Sequence, residues 1–253
     1  MFKLKPRRNR SLFMSKPAVH SRVRARVVRT LYLFLLLACP VLQAQTIQPL
    51  LSEYRNEANG SLQLINDAFL PSNVVLEAKS FTVTEDGDIV YRPLDPEIDV
   101  KFSAKSFRIQ PKQTVTVNYK AKAKSLPAYF VIYAGFSGSG LRTESGLNVN
   151  ILLPHTVYIL PKKDAAKREL QLQAAFDKQS GKVRLKVDST SDAFGRVLMT
   201  EVVGDKKHIE DAGFPVYPHK SRKFEVDWKE DGPPKKVVLH LRGFNLEAPL
   251  NVL

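Results

Sequence analysis

The nearest approach to a catalytic motif in this sequence is Gly135-Phe136-Ser137-Gly138-Ser139. A nucleophile elbow needs Gly-x-Ser-x-Gly, because the sharp strand-to-helix turn leaves room only for small residues around the serine. Ser139 stands at the fifth position, so the stretch reads as a flexible Gly/Ser turn. The histidines are His20, His155, His208, His219 and His240, and none is paired at metal-ligand spacing. Asp86 and Asp88 flank Gly87 without the ligand spacing of a calcium loop, which leaves hairpin chemistry as their role. No phosphate-binding glycine loop occurs. These patterns point away from an enzyme and call for no metal or cofactor.

The formal charge of +14 suggests nucleic acid until its distribution is considered. Ten of the 39 basic residues lie within residues 1–44, a stretch without a single acid, and the remainder holds 29 basic against 25 acidic residues. The excess belongs to a leader rather than to a binding face. That leader has the layout of an export signal: a basic segment ending at Arg29, an apolar run Leu31–Leu42, and a small residue at Ala44. Cleavage after Ala44 is the expectation, followed by a periplasmic mature chain. The single cysteine, Cys39, follows Leu36-Leu37-Ala38 as in a lipobox, although Pro40 behind it suits lipid attachment poorly. In either case the exported part has no disulfide and must be held by packed cores.

Beyond the leader the sequence reads as short strands separated by turn signals about every ten residues, which indicates an all-β sandwich architecture. A first strand is expected around Ile47–Tyr54. Strands follow at Ser61–Asn66, Val74–Thr84, Ile89–Arg92, Ile98–Phe102, Phe107–Ile109, Thr114–Tyr119 and Tyr129–Phe136. Glu85-Asp86-Gly87-Asp88 is a hairpin turn, with glycine supplying the positive φ. Pro161–Lys167 is short, polar and charged, as a linker would be. A second β unit then follows, with strands at Glu169–Phe176, Lys182–Asp188, Arg196–Val203, Arg222–Trp228, Lys236–Arg242 and Leu246–Val252.

One stretch stands apart. Gly146–Pro161 contains no Lys, Arg, Asp or Glu. Leu147, Val149, Ile151 and Leu153 fall on one parity, and Asn148 and Asn150 on the other, so the strand has an apolar face and a neutral polar face. Such a strand belongs in a core or against a partner, because an uncharged apolar edge invites pairing. Pro154 removes one backbone donor and would mark where edge pairing ends.

The order of these features resembles the periplasmic pilus (fimbrial) assembly chaperones. Gly60-Ser61-Leu62-Gln63-Leu64-Ile65-Asn66-Asp67 is similar to their second strand. Phe107-Arg108-Ile109-Gln110-Pro111, followed by Val115 and Val117, is similar to their aromatic-x-aliphatic-x-Pro segment with its Val-x-Val. Ala128–Tyr133 resembles the strand before their long loop, and Leu147–Pro161 their G strand. The resemblance implies two immunoglobulin-like sandwiches set at an angle: a chaperone domain at 45–161, a linker at 162–167 and a smaller domain at 168–253. It implies donor-strand complementation, in which the G strand fills the groove of a pilin-like subunit whose own sandwich is incomplete. Leu147, Val149, Ile151 and Leu153 would then be the subunit-binding residues. An outer-membrane usher would be a further partner, and nucleic acid would not. The family's Arg and Lys that hold the subunit's terminal carboxylate would fall near Leu50 and Thr156, neither of which is basic. The alternative is an exported structural or adhesive protein with two such domains, in which Leu147–Leu153 is an ordinary core strand.

Overall fold

The structure is a computed structural model that describes residues 45–138, 150–210 and 212–252. The leader of residues 1–44, with Cys39 and Ala44, lies outside the described residues, as do Ser139, Leu147 and Val149. The described residues contain no α-helix and are built from strands with one 3-10 turn, Lys167–Glu169.

Ten strands form the first sandwich. They are β1 (Gln45–Gln48), β2 (Leu51–Arg55), β3 (Ala58–Asn66), β4 (Ser72–Val83), β5 (Ile89–Pro93), β6 (Ile98–Phe102), β7 (Ser106–Ile109), β8 (Gln113–Ala123), β9 (Ala128–Ser137) and β10 (Ile151–Leu160). One sheet has the order β1-β3-β8-β6; the other runs β2-β10-β9-β4-β5, with β7 also on β4. Alternation along the strands makes the core. Leu62, Leu64, Val117 and Tyr119 meet Val74, Leu76, Phe130, Ile132, Val157 and Ile159 from the opposite sheet, all buried.

The expected strand Ile47–Tyr54 is two strands in different sheets. β1 pairs with β3 and β2 pairs with β10. Pro49 lies between them, and a residue without an N–H cannot continue a ladder. Pro249 plays the same part near the C-terminus, where one expected strand is β18 (Phe244–Pro249) in one sheet and β19 (Asn251–Val252) in the other.

The hairpin turn between β4 and β5 has three loop residues, Glu85, Asp86 and Gly87. Thr84 N–H donates to the Asp88 carbonyl at 3.0 Å, Gly87 N–H donates back to Thr84 at 3.1 Å, and Gly87 has φ 94°. This is a type I turn closed by a left-handed glycine.

The second sandwich pairs β11 (Leu170–Asp177), β12 (Lys182–Ser189), β16 (Ser221–Asp227) and β19 in one sheet. β13 (Gly195–Val203), β14 (Lys207–Glu210), β15 (Phe214–Val216), β17 (Lys236–Leu241) and β18 form the other. Its core includes Leu185, Val187, Val202, Leu239 and Trp228. The sequence reading missed β14 and β15: one is mostly polar and the other carries Pro215, so neither shows an apolar period.

Among the described residues, the two sandwiches touch through an aromatic cluster, a carboxylate and a turn. Phe81, Tyr158 and Leu160 of the first pack with Phe194 and Tyr217 of the second in a separate buried cluster. Glu53 accepts from Arg196 Nε at 2.9 Å and from Arg242 Nη2 at 3.1 Å. The β4–β5 turn docks on β16, where Lys223 N–H donates to the Glu85 carbonyl at 2.6 Å and Lys223 Nζ pairs with the Glu85 carboxylate at 2.6 Å. Arg55 also clamps the connecting segment, donating to the Pro161 carbonyl at 2.6 Å and to both Asp164 oxygens at 2.8 and 2.9 Å. The charged segment at 162–167 is thus tied down at Asp164.

Candidate strand-pairing site

The uncharged stretch ends in β10, which pairs antiparallel with β9 from Ile151 to Ile159 without a register break. On its other side β10 pairs parallel with β2, but only from Thr156 to Leu160. Among the described residues, β10 has a strand neighbour on one side only over Ile151–Pro154, so the strand is half closed and half open.

Backbone parity identifies the groups on the open side. Thr156 N–H donates to the Leu50 carbonyl at 2.8 Å, so even-numbered residues of β10 present their backbone toward β2. Continued outward, the same parity aims the N–H and C=O of Leu152 at the open edge. Pro154 offers only its C=O there. Its missing donor is lost from the open edge rather than from the β9 ladder, a place where a strand tolerates proline.

The side chains of odd residues point inward. Ile151 and Leu153 are half-buried and pack against the core of the first sandwich, at its open margin. They share that face with buried His155, Val157 and Ile159. Leu152 faces outward and is 63% exposed. It lies over Gly135, where a Cβ would come within 3.2 Å of its Cδ2, and Val75, 54% exposed, flanks Gly135 on the far side. A row of apolar side chains therefore runs on the outer face beside the edge.

The point where the edge closes is held by a buried polar chain that the sequence did not show. His155 is fully buried, with Nδ1 2.6 Å from the Pro49 carbonyl and Nε2 2.8 Å from the Tyr119 hydroxyl. Tyr119 in turn lies 3.0 Å from the Tyr54 hydroxyl. A carbonyl only accepts, so Nδ1 carries the proton. Burial pushes the His155 pKa down and keeps the ring neutral, so Nε2 accepts from Tyr119, whose oxygen accepts from Tyr54. Burial also pushes the Tyr119 pKa up, which keeps its hydroxyl a donor. The chain joins β10, β8 and β2 to Pro49 itself. A signal for it existed, since His155 has inward parity in an apolar strand, but its partners lie 36 and 106 residues away.

Leu50 and Thr156, the positions at which the resemblance places a basic anchor, do meet in space, through the bond just described, and bring no charge with them. The nearby charges are Glu53, Arg196 and Arg242. Arg196 Nε donates to Glu53, and its guanidinium lies 5.2 Å from the Tyr158 ring centre and 5.4 Å from that of Phe194. Among the described residues no three His, Cys, Asp or Glu gather as metal ligands. Gly135 and Ser137 belong to β9, an extended strand and not the turn of a nucleophile elbow.

No family model matches the sequence, and no curated protein matches it significantly. Solved structures do match. The class 5 fimbriae chaperone CfaA superposes with a TM-score of 0.52 at 12% identity, over 83% of this chain and all of that one. The SafB chaperone of Salmonella enterica, solved in complex with the SafA pilin, gives 0.53 at 13% identity over 83% and 97%. The YadV chaperone gives 0.51 at 12% identity over 81% and 99%. The chain has the fold of the fimbrial chaperones. This fimbrial-chaperone fold spans both sandwiches, since the matches cover nearly the whole of each solved chain. It is reached at 12–13% identity.

Proposed function

We propose that the protein is a periplasmic chaperone for fimbrial subunits. It pairs the open edge of β10 with a pilin-like subunit whose β-sandwich lacks a strand. The observation that carries this is the half-closed state of β10: ladder bonds on both sides from Thr156 onward, and on one side only over Ile151–Pro154. An incomplete sandwich offers what that edge lacks, a row of backbone donors and acceptors beside an open apolar groove.

Leu147, Val149, Ile151 and Leu153 are the side chains that would enter the groove. Each large apolar side chain so buried contributes roughly 1.5–3 kcal/mol, and the backbone ladder adds affinity with little regard to sequence. Residues 1–44 would direct the chain to the periplasm, with cleavage after Ala44 and lipid attachment at Cys39 as the alternative end. The chains with this fold include one solved in complex with a pilin. An outer-membrane usher is the further partner this role implies.

The test is co-expression in the periplasm with a pilin-like subunit encoded beside this gene. Wild type should give an equimolar complex. Ile151→Glu and Leu153→Glu should lose it while keeping the strand signature in circular dichroism. If those variants unfold instead, both residues are core alone, and the exported structural or adhesive role takes the place of this one.

A further inference from the structure

The opposite margin of the same sheet is also open, and its sequence is complementary to itself. β5 is the last strand in the order β2-β10-β9-β4-β5 and, among the described residues, pairs only with β4. All five of its residues are exposed, with Ile89 at 50%, Val90 at 53% and Tyr91 at 45%. The other margins carry guards: Asp99 and Lys101 on β6, Glu53 and Arg55 on β2, and a four-residue length on β1 ended by Pro49. On β5 the charge Arg92, paired with Asp95 of its own chain, and Pro93 come only at the end, and Ile89–Tyr91 are uncharged.

The hairpin bond from Thr84 to Asp88 sets the parity of its backbone. Thr84 with Asp88, Thr82 with Val90 and Ser80 with Arg92 are the hydrogen-bonded pairs. Ile89 and Tyr91 therefore turn both N–H and C=O to the free side. Pro93 faces the same way, so its missing donor costs the β4 ladder nothing.

We propose that two copies of this chain associate by antiparallel pairing of β5 with β5 about a two-fold axis through Val90. In that register Ile89 faces Tyr91 of the second copy, and Tyr91 faces its Ile89. The two pairs exchange four backbone hydrogen bonds. On one face Val90 meets Val90, and on either side of it Asp88 stands opposite Arg92 of the other copy. Both charge pairs are attractive, and no like charges meet. On the other face each Ile89 lies beside a Tyr91 ring already supported by Phe81 and Tyr133, at centroid distances of 6.3 and 5.5 Å. The interface is isologous, so it closes at two copies. A five-residue edge is short, which makes the dimer concentration-dependent rather than obligate. β4 and β9 separate β5 from β10, so the dimer leaves both β10 edges free.

Sedimentation velocity of the exported chain over a concentration series tests this. The mass should rise from one chain to two and stop there. Val90→Lys, a change at an exposed position, should hold it at one chain. Asp88→Arg should do the same, and Asp88→Arg combined with Arg92→Asp should restore the dimer. Circular dichroism checks that each variant keeps its strands. A single-chain mass at every concentration overturns the proposal, as does association that continues past two. A dimer that survives Val90→Lys and disappears in Ile151→Glu would place the contact on β10 and overturn it equally. Ile151→Glu also tests the chaperone reading, but Val90→Lys does not, so the two ideas fail separately.

Discussion

The backbone N–H of Thr156 donates to the carbonyl of Leu50, and this 2.8 Å bond is where the edge of β10 closes. Before it, the strand has a neighbour on one side; after it, on both. Pro154 is two residues before that bond and withholds the last donor the open edge would otherwise have. The edge is thus delimited twice over, by β2 from one side and by a proline within.

Pro154→Ala should lengthen the usable edge by one N–H. A subunit strand that reaches this position would gain about 0.5–1.5 kcal/mol. The dissociation rate of the chaperone–subunit complex should fall by several-fold. An unchanged rate would show that subunit pairing stops short of residue 154.

Tyr119→Phe removes the hydroxyl between His155 and Tyr54. It leaves Nε2 of a fully buried histidine without its donor, at a cost of roughly 1–3 kcal/mol. Urea unfolding should show a lower midpoint with an unchanged slope. Tyr54→Phe should cost less, because Tyr54 is only half-buried and the Tyr119 hydroxyl it leaves still donates to His155.

The same histidine makes stability depend on pH. Burial holds its pKa below the ordinary 6.5. As pH falls through 6.5, the unfolded chain takes up a proton that the folded chain refuses, so stability declines until the folded pKa is passed and is flat below it. Thermal melts between pH 7.5 and 5 should show this loss in wild type. His155→Gln, which keeps a donor for Pro49 and an acceptor for Tyr119, should be flatter over that window. A variant with the wild-type slope would place the effect in other groups.

Glu53→Ala should loosen the contact between the sandwiches. It leaves Arg196, whose side chain is only 15% exposed, without its carboxylate. The loss should be about 1–3 kcal/mol, seen as an earlier melt. Small-angle scattering should show a broader distribution of distances. Arg242→Ala, at a side chain 50% exposed, should cost less than about 1 kcal/mol.

Strand parity, turn signals and the charge-free run were all readable in the linear chain. The strands expected at Ile98–Phe102, Thr114–Tyr119 and Lys182–Asp188 lie within β6, β8 and β12, because a half-buried strand writes its period of two directly into neighbouring residues. The hairpin turn at Glu85–Asp88 was readable for the same local reason. Crossings between sheets were not. Pro49 and Pro249 look like ordinary breakers in sequence, and only the packing around them shows that the chain changes sheets there.

The site divides along the same line. The sequence by itself determined an uncharged strand with Ile151 and Leu153 on its apolar side and a proline at residue 154, since these follow from side-chain type and alternation. Whether that strand is an edge is a property of what lies beside it. β2 begins 105 residues before the residue it first pairs with, and no local pattern records where its ladder starts. The tertiary structure alone decided that β10 is closed beyond Thr156 and open before it. It also decided that His155 is a buried bridge to Pro49 rather than a lone solvated ring. Hydrogen bonds between distant segments are set by the folded path of the chain, and sequence spacing carries no trace of them.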